Sequence, residues 1–180
     1  MIKISRPKLE DAPELCKYFF SLTEENNLID SLENSKKLTV ELIKIIPESL
    51  EEYRYSDGKW TVKMVFSHVV DAERLYCFNA MLFSRKDNAL FADWRDRHNC
   101  AFNANTGQRT LKEIGEEFLA VRDATIKLFG YMTDEMLDFR NKKNNFIYTP
   151  RSLGWMISGH NIHHCRLIKE KYLIKQNNEK

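Results

Sequence analysis

Apolar residues recur every three or four positions along four long stretches of this sequence, and that spacing limits the possible folds more than any other feature. Such spacing places the apolar side chains on one face of an α-helix. The first stretch runs from about Leu28 to Ile46 and ends at Pro47, which cannot continue a helix. The second follows the turn-like sequence "YSDGKW" and runs from about Thr61 to Ser84. Each predicts a helix of roughly five to six turns.

The third and fourth stretches carry helix-start signals of their own. In "TLKE", Thr110 and Glu113 have the spacing of a capping box, and Gly130 is suited to the end of this helix. The fourth helix is predicted to start at Pro150 in "YTPRS" and to reach about Tyr172. Four amphipathic helices of this length predict an all-α fold, a four-helix bundle. With only 6 glycines and 4 prolines in 180 residues, a sheet with many tight turns is disfavoured.

The connection between the second and third helices is too long for a simple hairpin. It is the segment "KDNALFADWRDRHNCAFNANTGQ", residues 86–108, and it is rich in Phe, Trp and His rather than Ser and Gly. We predict an ordered crossover that can run the length of the bundle and that covers one end of its core. A short amphipathic segment, Leu9–Phe20, predicts an extra N-terminal helix across the end of the domain. Residues 1–180 are expected to form one domain, with the bundle core at about 21–173.

Charge and cysteine usage disfavour several classes of function. The net charge is only +2, and basic residues are interspersed with acidic ones, so we expect no binding to nucleic acid or to a membrane surface. No apolar run is long enough to span a bilayer, and charges interrupt the N-terminal sequence where a signal peptide needs an apolar core. The four cysteines are widely spaced and form no C-x-x-C pair, so we expect reduced thiols and a cytoplasmic protein.

Three of the five histidines fall within "GHNIHHC", on the fourth predicted helix. On a helical wheel of about 100° per residue, His160 and His164 straddle the centre of the apolar face, whereas His163 lies at its edge. The i, i+4 spacing stacks the imidazoles of His160 and His164 one turn apart, as in helices that supply two nitrogens to one metal ion. His163 is expected to contact the ligands rather than to bind the ion.

The second helix carries one histidine in a matching position. His68 lies at the centre of its apolar face, so three inward imidazoles from two helices can meet in the bundle interior. A single buried histidine is more commonly hydrogen-bonded to a carbonyl or a carboxylate than bound to metal. Three together favour a divalent ion, because each buried imidazole needs partners and one ion serves all three. The sequence therefore predicts a metal site of His68, His160 and His164.

Known motifs narrow the chemistry. Zinc peptidases carry H-E-x-x-H, in which the glutamate is the general base, and the equivalent position here is Asn161, which cannot take a proton. No G-x-S-x-G motif, P-loop or dinucleotide fingerprint occurs. Candidates for orienting a substrate are Asp71 and Arg74 on the second helix and Asp93, Trp94, Arg95 and Asp96 on the crossover. Asp71 and Arg74 could equally be exposed charges on the helix surface, and Trp94 could pack as a lid.

Three stretches occur in an order that carries a family resemblance: "YSDGKWTVKMVFSHVVDAERLY", "EEFLAVRDATIKLFGYMTDEML" and "YTPRSLGWMISGHNIHHCRLIKEKYL". Together they resemble the DinB family of DinB/YfiT-like helical metalloproteins. The first is similar to the family's K-W-[ST]-[IV] entry to the second helix and its single metal-binding histidine, here His68. The last is similar to the G-H-x-x-H-H signature, whose first and last histidines match His160 and His164. The resemblance runs from about Ser21 to Leu173.

The resemblance implies a bundle with the long crossover between its second and third helices and a three-histidine site for a divalent ion, often nickel or zinc. It also implies a homodimer and, in some relatives, transfer chemistry that depends on a low-molecular-weight thiol. Many members have glutamate at the position of Asn161. This departure leaves the three ligands intact but puts an acid–base role of that position in question.

Functions from different classes remain compatible with these residues. The first is a metal-dependent enzyme, either a thiol-dependent S-transferase or a hydrolase acting on a small molecule, in which the ion lowers the pKa of a bound water or thiol. The alternative is a metal-binding or small-ligand-binding bundle without catalysis, such as a stress-response protein, because coordination alone does not establish turnover. A helical interaction module without metal is a further alternative.

Overall fold

The computed structural model describes residues 3–8, 13–141 and 147–173, and within them the fold is all-α. This part of the chain contains seven α-helices: α1 (Glu14–Ser21), α2 (Leu28–Ile45), α3 (Val62–Ser84), α4 (Arg97–Phe102), α5 (Leu111–Gly130), α6 (Asp134–Leu137) and α7 (Pro150–Leu167). Helix α7 continues as a π-helical segment over Ile168–Leu173, and short 3-10 turns lie at Glu48–Leu50 and Thr106–Gln108. None of the helices in these described ranges combines the length and the hydropathy that a bilayer crossing requires.

The four long helices begin and end close to where the sequence predicts. The side chain of Thr61 caps α3, and Thr110 and Glu113 form the predicted capping box at the start of α5. Thr149 and Ser152 form a second capping box at the start of α7. These side chains satisfy backbone N–H groups that the first turn of a helix leaves without partners. Local sequence therefore sets the bounds of the bundle helices.

Helices α2, α3, α5 and α7 form the bundle. Helix α3 packs against α5 and α7, and α2 packs against the same two helices, so α2 and α3 lie on one diagonal. An apolar cluster at one end includes Leu28 from the start of α2, Phe83 from the end of α3 and Phe129 from the end of α5. The cluster at the other end includes Val62 and Leu111, which start α3 and α5. Because α3 and α5 run in the same direction, the crossover between them returns along the length of the bundle.

The crossover is ordered, as predicted, and Phe91 near its start packs against the apolar cluster at one end of the bundle. From there the crossover runs along α3. Asn79, which is buried on α3, binds the backbone of the crossover with two hydrogen bonds. Its side-chain Nδ2 donates to the carbonyl of Ala92 at 2.9 Å, and its Oδ1 accepts from the N–H of Ala92 at 2.8 Å. Two residues later, the ring of Trp94 lies 5.1 Å from the ring of His68. The crossover therefore reaches the face of α3 that carries His68.

Helix α1 packs against the middle of α7, not across the end of the domain as expected. A Cβ atom added at Gly159 would lie 2.1 Å from the carbonyl oxygen of Phe19, so only glycine allows the two backbones to approach this closely. The helix begins at Glu14, and residues 9–12 of the predicted segment Leu9–Phe20 lie outside the described residues. This contact brings α1 next to the histidines of α7.

Candidate metal centre

The candidate metal centre is built from two helices of the bundle. Helix α7 contributes His160 and His164, one turn apart, and α3 contributes His68. The Nε2 atom of His160 lies 3.3 Å from Nε2 of His68 and 3.1 Å from Nε2 of His164. One nitrogen from each ring lies within 4.8 Å of the others. The structure thus brings together the three imidazoles that the helical wheels place on inward faces.

All three rings are buried and neutral. The exposed fractions of His68, His160 and His164 are 4%, 6% and 9%. Burial lowers the pKa of His68 to about 4, and the positive charge of Arg97 acts in the same direction. Burial, followed by the neighbouring imidazoles, lowers the pKa of His160 and His164 well below the usual range. At pH 7 the rings therefore present lone pairs, the state in which imidazole binds a metal ion.

Two of the three separations between the nitrogens fit a divalent ion. Zinc binds imidazole nitrogen at roughly 2.0–2.1 Å, which places the nitrogens of a tetrahedral site about 3.3 Å apart. The observed Nε2 separations of 3.1 and 3.3 Å are close to that value. On the far side of its ring, Nδ1 of His164 is buried and has no partner in the described part of the chain. A shared ion would satisfy all three converging nitrogens at once.

Two aromatic rings fix the orientation of His160. The ring of Phe19, from α1, meets the ring of His160 edge-on at 5.3 Å. The ring of Tyr76, from α3, lies perpendicular to it at 6.0 Å. Tyr76 follows His68 by about two turns and could have been identified from that spacing. Nothing local in the sequence points to Phe19, because only the packing of α1 on α7 brings it here.

Two tryptophans contact the ring of His68. The ring of Trp60 lies 4.8 Å from the ring of His68, and the ring of Trp94 lies 5.1 Å from it. Trp60 donates a hydrogen bond from Nε1 to Nδ1 of His98 at 3.1 Å, which links it to α4. Of the crossover residues proposed from sequence, Trp94 is the one that contacts a ring of the candidate centre.

The family model of the DinB superfamily matches residues 31–168, which is most of the sequence. The chain belongs to the DinB superfamily. No curated protein matches it.

Two solved structures share the fold of this DinB protein. The structure of YfiT from Bacillus subtilis, described as a probable metal-dependent hydrolase with an unusual four-helix bundle topology, has a TM-score of 0.65 and 16% sequence identity, and the match covers 91% of each chain. A protein from Streptococcus pneumoniae, solved as a structural genomics target, has a TM-score of 0.62 and 14% identity, covering 84% of this chain and 94% of that one. The likeness establishes the fold, and the DinB assignment agrees with the resemblance carried by the histidine motif.

His163 lies beside the three converging histidines but is not part of their group. Its Nδ1 is 2.9 Å from the hydroxyl oxygen of Tyr18, on α1, and its ring lies 5.0 Å from the ring of His164. Burial lowers its pKa as well. Helix α1 therefore contacts two histidines on adjacent turns of α7. Phe19 contacts His160, and Tyr18 contacts His163.

Asp71 and Arg74 do not reach the imidazoles, so the structure does not support their candidacy. They lie on the side of α3 that faces α5, where Arg74 forms an ion pair with Glu117 at 2.5 Å and with Asp71 at 3.5 Å. Arg109 also pairs with Glu117. These charges form a surface cluster. This agrees with the interpretation of Asp71 and Arg74 as exposed helix charges.

The remaining crossover candidates are exposed. Asp93 accepts a hydrogen bond from the backbone N–H of Trp94 at 2.8 Å, and Asp96 caps α4 by accepting from the N–H of Asn99 at 2.9 Å. Both carboxylates therefore stabilise the crossover itself. Arg95 is exposed between them.

Asn161 points away from the candidate centre, into a buried polar network. Its side-chain oxygen accepts a hydrogen bond from Arg122 at 3.0 Å, and its amide donates to the hydroxyl of Thr39 at 2.7 Å. Arg122 is fully buried and belongs to α5. The departure from the glutamate common at this position therefore concerns packing between helices rather than acid–base chemistry at the three histidines.

Proposed function

We propose that this DinB protein is a metal-dependent enzyme that either hydrolyses a small molecule or transfers a thiol to it. The observation that carries the proposal is the convergence of three buried, neutral imidazoles with Nε2 separations of 3.1 and 3.3 Å. Zinc and nickel are the proposed ions, because both bind imidazole nitrogen well. The description of YfiT as a probable metal-dependent hydrolase supports the same class of reaction.

His68, His160 and His164 would hold the ion and leave further coordination positions for the reactants, as three-ligand catalytic sites do. A divalent ion in such a site acts as a Lewis acid and lowers the pKa of a water or a thiol that binds to it. The aromatic side chains keep bulk water out and hold the rings in fixed orientations. Phe19 and Tyr76 do so at His160, and Trp60 does so at His68.

Turnover tests this proposal. Protein purified without a polyhistidine tag is loaded with zinc or nickel and given two panels, activated esters and amides in water, and electrophilic acceptors together with 2-mercaptoethanol or cysteine. We expect product in at least one panel, and we expect His160→Gln to reduce the rate to that of metal-free protein. Lys112→Gln is the control, because Lys112 is exposed on α5 and lies outside the three-histidine group.

Each outcome separates the candidate functions. Turnover that persists in a folded His160→Gln protein, checked by circular dichroism, would contradict the assignment of the site. Binding of one metal ion with no turnover in either panel would instead identify the alternative function, a metal-binding bundle without catalysis.

A further inference from the structure

The three tryptophans of the chain differ in what they pack against. Trp155 is buried in the apolar cluster at one end of the bundle, and its indole N–H donates to the carbonyl of Ser5 at 3.0 Å. Trp60 packs against the cluster at the other end, and its N–H donates to His98. Trp94 belongs to none of the apolar clusters of the described residues, and its indole N–H has no acceptor among them.

The backbone on both sides of Trp94 is nevertheless fixed. Two residues before it, the side chain of Asn79 on α3 forms hydrogen bonds of 2.9 and 2.8 Å with the backbone of Ala92. Two residues after it, the carboxylate of Asp96 caps α4 by accepting from the N–H of Asn99 at 2.9 Å. The position of the indole is therefore set by its neighbours in the crossover and not by packing into the core.

This position is next to the candidate metal centre. The ring of Trp94 lies 5.1 Å from the ring of His68, with an angle of 38° between the two planes. The ring of Trp60 lies 4.8 Å from the same imidazole, and the ring of Tyr76 lies 6.0 Å from that of His160. All three aromatic side chains are half-buried, so each reaches from a buried imidazole towards the protein surface.

A molecule that binds to an ion at these imidazoles would therefore lie beside aromatic rings. Aromatic rings attract one another in offset or edge-to-face arrangements, and this attraction adds to the gain from burying apolar surface. Trp60 is less available for such a contact, because its ring also stacks on the ring of His98 at 5.9 Å. Trp94 presents an indole that no apolar cluster of the described residues covers.

We propose that Trp94 binds an aromatic ring of the substrate, so that the enzyme acts on small aromatic molecules. The inference rests on the proposed function, since it concerns what binds beside the ion. Trp94 determines specificity through this contact: the ion holds the reacting atom, and the indole holds the ring of the same molecule. Molecules without a ring bind to the ion alone.

Cobalt(II)-loaded protein provides a readout that does not depend on activity, because the visible spectrum of the ion changes when a thiol binds to it. Two thiols are titrated as probes, benzyl mercaptan and 2-mercaptoethanol, which has no ring. We expect Trp94→Leu, which keeps an apolar side chain but removes the ring, to weaken binding of benzyl mercaptan about fivefold or more. The same variant should change binding of 2-mercaptoethanol less than about twofold.

Two further variants act as controls. Trp94→Phe keeps an aromatic ring and should bind benzyl mercaptan within about twofold of the wild type. Tyr131→Leu removes an aromatic side chain that is 84% exposed and makes no ring contact with a histidine of the described residues, and it should alter neither affinity. Circular dichroism checks the fold of each variant.

The possible failures are distinguishable. A wild-type protein that takes up no cobalt contradicts the proposed metal site, and the inference falls with it. A protein that takes up cobalt while Trp94→Leu leaves the affinity for benzyl mercaptan unchanged contradicts the inference alone. Equal weakening of both probes by Trp94→Leu, equal losses in Trp94→Leu and Trp94→Phe, or loss of the fold in Trp94→Leu would show that the indole supports the structure, and would also overturn it.

Discussion

Arg122 and Glu73 form a buried ion pair in which Nε and Nη2 of the guanidinium each donate to one carboxylate oxygen at 2.8 Å. Arg122 also donates to the carbonyl of Leu32 at 2.8 Å and to Asn161 at 3.0 Å. One side chain therefore connects all four helices of the bundle. Because Asn161 follows His160 directly, this network also fixes the rotation of α7 about its axis.

Glu73→Gln is expected to lower the free energy of unfolding by about 3–5 kcal/mol, because it leaves the buried charge of Arg122 without its carboxylate. Urea unfolding followed by circular dichroism measures the change. Glu116→Gln on the surface of α5 is the control, and its pair with Lys112 is worth less than about 0.5 kcal/mol. A loss below about 1 kcal/mol for Glu73→Gln would show that the ion pair does not hold the bundle together.

Gly159→Ala is expected to displace α1 from α7, since the added Cβ would lie 2.1 Å from the carbonyl oxygen of Phe19 and neither backbone can give way easily. The expected cost is about 1–3 kcal/mol, typical of overpacking, and thermal unfolding measures it. Gly130→Ala is the matched control, because no atom lies within 4 Å of a Cβ there, and it should be neutral or slightly stabilising. Equal melting temperatures for the two variants would contradict the close contact.

Thiol labelling checks the arrangement of the cysteines. Cys100 is exposed, whereas Cys16 and Cys165 are buried. Burial raises the pKa of Cys16 and of the half-buried Cys77 to about 12, so little of the reactive thiolate forms at neutral pH. We expect one fast-reacting thiol in the native protein and four after denaturation.

Mass spectrometry after brief maleimide treatment identifies the labelled residue. Cys100→Ser should remove the fast phase and leave the slow ones unchanged. Fast labelling of Cys16 in the native state would mean that the interface between α1 and α7 is open.

Much of the fold could be predicted because its determinants are local. The cap at Thr61 and the capping box at Thr110 and Glu113 are readable from neighbouring residues, and so is the start of α7 at Pro150. The inward faces of α3 and α7 follow from helical periodicity, which is why the three histidines were predicted to meet. That they bind a metal ion stays a prediction.

Other features depend on contacts that no local pattern shows. Arg122 lies four residues after Phe118 on the buried face of α5, so its position was readable, but its partner Glu73 is distant in the sequence. The path of the crossover follows from the parallel directions of α3 and α5 and from the two hydrogen bonds between Asn79 and the backbone of Ala92. The role of Asn161 in a packing network could not be predicted either, because its partners Thr39 and Arg122 are distant in the sequence and reach it only in the folded chain.

The metal content of untagged protein tests the central claim most directly. After equilibration with zinc and removal of free metal, elemental analysis should give about one equivalent per chain for the wild type and for the surface control Lys112→Gln. It should give almost none for His68→Gln, His160→Gln or His164→Gln, because each lost imidazole removes one ligand. Wild-type protein that holds less than about a tenth of an equivalent of zinc or nickel, with no uptake on titration, would contradict the claim that these three histidines form a metal site.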